Sequence, residues 1–132
     1  VLDMGCGTGV LAILASLKGA ARVDAIDLDP WCIENTIENS QANNCNNIFT
    51  FLGEVLSISK PTYNFIFANI NRNVLLEQIH SYVSALKPEG VLLLSGFYAD
   101  DIFNLKECCE NEGLSLVEEK QKKSWRALKF IK

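Results

Sequence analysis

The sequence contains little that would suit a metal site, a membrane or a nucleic acid. Its five cysteines include no C-x-x-C pair and His80 is its one histidine, so no zinc cluster is expected. No apolar run approaches the roughly 20 residues of a membrane span. Acidic residues outnumber basic ones 16 to 12, and the net charge of −4 argues against a nucleic-acid surface. We therefore expect no metal, no membrane and no direct nucleic-acid partner.

The cysteines are also odd in number, and we expect them to be reduced, which is usual in the cytoplasm. Cys6 lies inside a glycine-rich turn, where we expect its small volume to matter rather than its nucleophilicity. The chain has 132 residues, of which 48% are hydrophobic, and this is enough for one domain with its own core.

Hydrophobic periodicity predicts strands and helices in alternation. The predicted strands are residues 1–4, 21–27, 48–52, 63–69, 91–95, 114–119 and 125–131, and the predicted helices are residues 8–18, 29–43, 73–86 and 102–112. This order favours an α/β fold with a doubly wound, mostly parallel sheet and helices on both faces. The last two strands read as a hairpin, which places one antiparallel strand at or near an edge.

Local patterns predict further details of these elements. The first helix has an apolar face that comprises Val10, Leu11, Ile13, Leu14 and Leu17, and the third has a buried stripe of Leu75, Leu76, Ile79, Val83 and Leu86. The strand at residues 63–69 is nearly all apolar, as expected for burial on both faces. Residues 87–90 read as a turn, and residues 53–62 have a weak pattern for a short helix.

The most informative segment runs from Val1 to Gly9, where an apolar strand enters a G-x-G-x-G turn and then a helix. Glycine is needed where the backbone turns sharply or approaches a ligand closely. A strand, a glycine-rich turn and a helix start form the layout of a nucleotide-type site. Val10 stands where a dinucleotide fingerprint has its third glycine, so the spacing points away from NAD.

Polar residues end the neighbouring strands, where ligands bind in an open α/β sheet. Asp27 follows Gly9 by 18 residues, a spacing that suits a carboxylate bound to a ribose diol, although a turn role is the alternative. Asp29 favours a helix cap. Glu54 either accepts from an adenine amine or is simply solvated. Asn69 ends an apolar strand and is expected to face the cleft, although it could satisfy loop backbone instead.

Other conspicuous residues favour structural roles. His80 is expected on the surface or half-buried in its helix. Tyr98 and Trp125 are more typical of core or lid aromatics than of catalytic groups. Three lysines, Lys120, Lys122 and Lys123, read as a solvated hairpin turn.

The segment Asp3-x-Gly5-x-Gly7-x-Gly9 with Asp27 resembles the class I S-adenosylmethionine-dependent methyltransferases. Residues 1–13, 27–30, 67–70 and 86–96, together with Trp125, are similar to the ribosomal protein L11 methyltransferases. This resemblance implies a Rossmann-like seven-stranded sheet in the order 3-2-1-4-5-7-6 with strand 7 antiparallel. It also implies methylation of lysine side chains and an N-terminal amine in a large-subunit ribosomal protein.

The resemblance further implies a cofactor site for S-adenosyl-L-methionine and a catalytic role for Asn69. The cofactor-binding residues that it implies are Asp3, Gly5, Cys6, Gly7, Gly9, Asp27, Leu28, Glu54 and Asn69. The reaction needs a neutral amine, and the Asn69 side-chain oxygen can accept a hydrogen bond from it and orient its lone pair.

Members of this family bind their ribosomal protein through a separate N-terminal domain. Because the chain opens inside its first strand, we expect residues 1–132 to be the methyltransferase domain of a longer protein. Two residues depart from the family pattern. Glu89 stands where glycine is usual, and Asn71 stands where leucine or a similar residue is common.

Three alternatives stay open. One is another class I methyltransferase that acts on a small amine or a different protein. The second is a cofactor-binding fragment without activity. The third is a nicotinamide oxidoreductase, which is disfavoured because no catalytic Tyr–Lys or His–Asp pair is evident.

Overall fold

The structure is a computed structural model, and it describes residues 1–54 and 61–132. Strands and helices alternate along these residues, as predicted. They are β1 Leu2–Met4, α1 Val10–Leu17, β2 Val23–Asp27, α2 Pro30–Ala42, β3 Ile48–Leu52, β4 Tyr63–Asn69, α3 Arg72–Ala85, β5 Leu86–Tyr98, α4 Ile102–Asn111, β6 Ser115–Lys122 and β7 Trp125–Ile131. The short helix suggested within residues 53–62 falls mainly on residues outside the described ranges.

The seven strands form a mixed sheet in the order β3-β2-β1-β4-β5-β7-β6, in which β7 is antiparallel to β5 and β6. This confirms the predicted fold class, strand order and closing hairpin. By its contacts the chain divides into two compact units, Val1–Glu54 and Val55–Lys132.

In the first unit, β2 pairs in parallel with β1 on one side and with β3 on the other. Its core includes Leu2, Val23 and Ala25, which are fully buried. Asp27 is opposite Leu52 in the register, so the carboxyl ends of β2 and β3 lie at the same edge. That edge is where a parallel sheet places its ligands.

The buried face of α1 differs from the predicted one. Ala12 and Ala15 are buried, whereas Val10, Leu14 and Leu17 are 65%, 50% and 65% exposed. The Asp3 carboxylate accepts a hydrogen bond from the Ala12 N–H at 2.9 Å, which ties the start of α1 to β1. Residues 10–15 are all apolar, so periodicity by itself does not show which face of α1 packs.

In the second unit, β5 pairs in parallel with β4 and antiparallel with β7. The turn predicted at residues 87–90 lies within β5, which is a correction to the predicted strand start. Tyr63 is opposite Leu86 but Phe65 is opposite Val91, so residues 87–90 of β5 bulge out of the ladder. Glu89 adopts the left-handed φ of 61° there, which costs a non-glycine residue of order 1 kcal/mol.

The prediction that β4 is buried on both faces is wrong. Ile66 and Ala68 are buried, but Phe65 is 44% exposed and Phe67 is half-buried. Successive side chains of a strand point to opposite faces, so an apolar run cannot distinguish one packed face from two.

Helix α3 largely follows its predicted stripe, since Leu75, Ile79 and Val83 are buried while Leu76 is half-buried. Leu86 is buried too, as the first residue of β5. Across residues 1–54 and 61–132, no helix is long and apolar enough to cross a membrane.

Candidate functional site

The glycine turn between β1 and α1 is tied to the end of β2. The N–H groups of Gly5 and Cys6 donate to the Ile26 carbonyl oxygen at 2.9 and 3.1 Å. The Gly7 N–H donates to Asp27 Oδ2 at 2.9 Å. Gly5, Gly7 and Gly9 all have positive φ, which the sequence spacing anticipated.

Helix α2 clamps the same turn from a second direction, through residues that sequence reasoning missed. Thr36 Oγ1 donates to the Gly7 carbonyl at 3.1 Å, and Asn39 Nδ2 donates to the Thr8 carbonyl at 2.8 Å. A Cβ on Gly9 would lie 2.9 Å from the Thr36 methyl group, so only glycine fits there. Such partners lie about 30 residues away, and no local motif signals them.

Two backbone N–H groups hold the Asp27 carboxylate in place. Its Oδ2 accepts from Gly7 and its Oδ1 accepts from the Asp29 N–H at 3.0 Å. A carboxylate has about four acceptor positions, so these two backbone bonds leave capacity for further donors such as hydroxyl groups. Asp29 caps α2 by accepting from the Trp31 N–H at 2.9 Å, as expected.

Leu28 and Glu54 lie beside Asp27. The Leu28 side chain is 60% exposed directly after β2. The Gly53 N–H donates to the Asp27 carbonyl at 2.9 Å, which places the exposed Glu54 one residue further along. The first unit thus brings an exposed apolar side chain and two carboxylates to the same strand ends, a set that suits an adenosine.

Asp3 occupies a different position from the other predicted binding residues. It is only 1% exposed, and its carboxylate bonds to Ala12 inside the unit. Burial raises the pKa of Asp3 from its ordinary value of 3.8 to about 6, while the Ala12 N–H opposes the shift and the Asp27 charge adds to it. Asp3 therefore supports the glycine turn from inside the unit, through its hydrogen bond to α1.

The raised pKa of Asp3 makes the stability of the fold depend on pH. For an acid whose pKa is higher in the folded state, the charged form is disfavoured by folding. A shift of the Asp3 pKa from 3.8 to about 6 corresponds to about 3 kcal/mol in the free energy of unfolding. The folded state gains this stability as the pH falls from above 6 to about 4. Asparagine does not titrate, so we expect the stability of Asp3→Asn not to increase in this way as the pH falls. Near neutral pH the variant should be more stable than wild type by about 1–2 kcal/mol.

Urea unfolding across this pH range measures the effect. Asp29→Asn is the control, because Asp29 is exposed and asparagine retains a capping oxygen. The control should keep the wild-type pH dependence between about pH 4 and 6. If Asp3→Asn keeps it as well, Asp3 does not titrate in this range.

Cys6 has the structural role predicted for it. It is 7% exposed and its Sγ lies 3.3 Å from Thr36 Oγ1. Burial raises the pKa of Cys6 to about 11, although the contact with Thr36 opposes the shift. The thiol therefore stays protonated near neutral pH and is a poor nucleophile. All five cysteines are free.

The second unit contains an open cleft of about 840 Å³. The end of β4, the bulge of β5 and the β6–β7 hairpin line it. Asn69 ends β4 with an exposed side chain, as predicted, and Ser95 Oγ donates to its Oδ1 at 3.1 Å. Sequence reasoning noted Ser95 only as a strand end.

The hairpin gives this cleft aromatic and basic walls. Trp125 lines it and stacks on Tyr98, with ring centroids 4.6 Å apart, and both rings are about half exposed. Lys120, Lys122 and Arg126 also line the cleft. The lysines were predicted to be a solvated turn. The antiparallel register, which pairs Lys122 with Trp125, brings two of them to the wall.

Two further residues have structural roles. Asn71 caps α3, since its Oδ1 accepts from the Val74 N–H at 3.2 Å. This accounts for a polar residue where the family usually has an apolar one. His80 is 77% exposed and bonds to Glu112 at 2.9 Å, so it lies on the surface as expected. No group of three or more His, Cys, Asp or Glu side chains within the described ranges could bind a metal.

Several solved structures share this fold. A ribosomal protein L11 methylase from Lactobacillus delbrueckii subsp. bulgaricus superimposes with a TM-score of 0.93 at 24% identity, over 98% of this chain and 67% of that one. A methyltransferase from Pyrococcus furiosus gives 0.82 at 22% identity, over 98% and 73%. At these identities the likeness shows the fold alone, which is the Rossmann-like fold of the methyltransferases.

Sequence relatives identify the family within that class. The family described as ribosomal protein L11 methyltransferase (PrmA) matches residues 1–132. A ribosomal protein L11 methyltransferase of Porphyromonas gingivalis is 50% identical over 131 residues, which are 98% of this chain and 45% of the relative. The chain therefore belongs to the ribosomal protein L11 methyltransferase family.

Family membership confirms the resemblance drawn from the sequence and the expected cofactor, S-adenosyl-L-methionine. The chain spans about half the length of the curated relatives that it matches. The binding roles of individual residues remain predictions.

Proposed function

We propose that this protein transfers methyl groups from S-adenosyl-L-methionine to amino groups of a large-subunit ribosomal protein, on lysine side chains and the N-terminal amine. Family membership supports the reaction class. The observation that carries the acceptor chemistry is the exposed residue Asn69, which lies at the end of β4 and lines an open cleft.

The first unit offers a site that fits the adenosine part of the cofactor. We assign the ribose hydroxyls to Asp27, because its carboxylate has acceptor capacity beyond its two backbone bonds. Leu28 and Glu54 suit the apolar face and the exocyclic amine of an adenine. Gly5, Cys6, Gly7 and Gly9 shape the turn, where a Cβ on Gly7 would meet nothing within 4 Å. Asp3 supports this turn through α1 without reaching its surface.

The chemistry at the acceptor side needs little acid–base assistance. The bound cofactor supplies a methyl group already activated on a sulfonium. A lysine amine has a pKa of about 10.4 in water and is mostly protonated there, so the protein must favour its neutral form. Entry into a cleft lined by Trp125 and three cationic side chains disfavours the ammonium. Asn69 Oδ1 then accepts a hydrogen bond from the neutral amine and orients its lone pair.

The partner and the location follow from the proposed substrate. We propose that the chain is the methyltransferase domain of a longer protein, whose N-terminal domain binds the ribosomal protein, because its relatives are about twice as long. Ribosomal proteins are made in the cytoplasm, so we place the enzyme there. The reduced cysteines are compatible with this compartment.

Ligand binding and methyl transfer test the proposal separately. S-adenosylhomocysteine at about 100 times its Kd should stabilise the natural full-length protein by about 2.7 kcal/mol, while NADH should not. Stabilisation by NADH alone would favour the oxidoreductase alternative. Mass spectrometry of L11 after incubation with enzyme and cofactor should then show added methyl groups on amines. If L11 is not methylated but an amine of another molecule is, the proposed reaction class is retained and the proposed substrate is rejected.

A further inference from the structure

Strand β5 has a bulge beside Asn69. Ser95 pairs with Ala127 and Phe97 pairs with Arg126, so Gly96 has no partner on β7. Gly96 has a φ of 92°, a conformation that favours glycine. A Cβ there would lie 2.8 Å from the Ile70 carbonyl oxygen and 3.0 Å from Asn69 Oδ1. The backbone of β5 therefore approaches the Asn69 side chain more closely than it could if position 96 had a side chain.

The bulge follows directly after a residue that bonds to the same side chain. Ser95 is opposite Asn69 in the parallel register of β4 and β5, and its hydroxyl donates to Asn69 Oδ1 at 3.1 Å. A carbonyl oxygen has two lone pairs, so this bond uses one and leaves the other. Within the described residues, no other side chain is recorded as bonding to the Asn69 carboxamide.

We propose that Ser95 is a positioning residue for methyl transfer: its hydroxyl holds the Asn69 carboxamide with Oδ1 directed to the amine, on a bulge that Gly96 alone permits. This inference rests on the proposed role of Asn69. A carboxamide without Ser95 can rotate about χ2, whose energy profile is broad, and can present its NH₂ group instead. That group is a donor and cannot accept from an amine.

The position of Ser95 predicts which kinetic parameter changes. Ser95 does not need to touch the amine or the cofactor, so its loss should lower kcat and leave the KM of the acceptor and the Kd of S-adenosylhomocysteine within about twofold. We expect Ser95→Ala to lower kcat about tenfold, the upper end for one neutral hydrogen bond. Ser95→Thr keeps the hydroxyl and suits a strand, so it should stay within about threefold of wild type.

A double-mutant cycle with Asn69→Ala shows whether Ser95 acts through Asn69. If it does, Ser95→Ala should cause no further loss in the Asn69→Ala background. The kcat and KM are measured in the steady state with the natural full-length protein, using L11 as the acceptor. Ser115→Ala is the matched control, because Ser115 is an exposed strand serine of β6 at the end away from the cleft.

The outcomes separate this inference from the proposed function. Full activity of Ser95→Ala, or an equal loss in both backgrounds, would overturn the positioning role and leave Asn69 in place. Full activity of Asn69→Ala would instead reject the proposed acceptor chemistry and the inference with it. If Asn69→Ala has no measurable turnover, the contrast between Ser95→Ala and Ser95→Thr decides, and equal rates of these two variants would overturn the inference. Gly96→Ala should be slower than Ser95→Ala, since it displaces Asn69 directly.

Discussion

Asn69→Ala should lower the rate of methyl transfer by on the order of 100-fold, the size of effect expected when a reacting group loses its orientation. The reason is local: Oδ1 is the exposed acceptor at the end of β4, and alanine has no atom that could replace it. The affinity for S-adenosylhomocysteine should change by less than about threefold, because the cofactor contacts proposed above come mainly from the first unit. Single-turnover methylation of L11 and calorimetry measure the two quantities.

A second asparagine of the same strand provides the control for this variant. Asn64 is exposed near the start of β4, and its Oδ1 accepts only a long 3.4 Å bond from Lys87. Asn64→Ala should therefore keep the wild-type rate. If Asn69→Ala transfers methyl groups as fast as Asn64→Ala, Asn69 does not orient the acceptor.

Asp27→Ala should weaken the binding of S-adenosylhomocysteine by about 1–3 kcal/mol, the usual cost of losing hydrogen bonds to a charged group. The loss has two sources. The variant removes the acceptor for the ribose hydroxyls, and it leaves the N–H groups of Gly7 and Asp29 without their partner. The second effect should also lower the free energy of unfolding, by about 1–2 kcal/mol. Calorimetry and urea unfolding give the two values.

An analogue that lacks the 2′-hydroxyl separates these sources. Wild type should bind this analogue more weakly than S-adenosylhomocysteine, whereas Asp27→Ala should bind both with similar affinity. Glu34→Ala, which removes an exposed carboxylate of α2, should behave as wild type. If Asp27→Ala still prefers the 2′-hydroxyl as strongly as wild type does, Asp27 is not the ribose ligand.

Much of the secondary structure could be predicted because its signals are local. The bounds of β3, β4 and β7 agree with the prediction, since each is rich in apolar and aromatic residues and lies between turn residues. Asp29 and Pro30 predicted the start of α2, and the structure shows the capping bond. The glycine spacing predicted the turn, because positive φ is a property of the residue type itself.

The errors share one cause, which is that they depend on how separate elements pack rather than on the pattern within one element. The exposure of Val10 and Leu14 depends on which face of α1 is packed, and the exposure of Phe65 depends on which face of β4 is packed. Lys120 and Lys122 line a cleft because the hairpin register pairs them with β7. None of these contacts leaves a periodic pattern in the chain.

The sequence by itself determined the fold class, the strand order through a family resemblance, the cofactor and the candidate strand-end residues Asp27 and Asn69. These depend on residue type and spacing, which are properties of the linear sequence. Only the tertiary structure decided how those side chains are held: Thr36 and Asn39 clamp the glycine turn, and Ser95 and Gly96 fix the carboxamide of Asn69. Hydrogen bonds of this kind join residues about 26 to 31 positions apart. They form only once neighbouring strands and helices have packed. The sequence therefore indicates which residues have suitable chemistry, and only the tertiary structure shows how they are held.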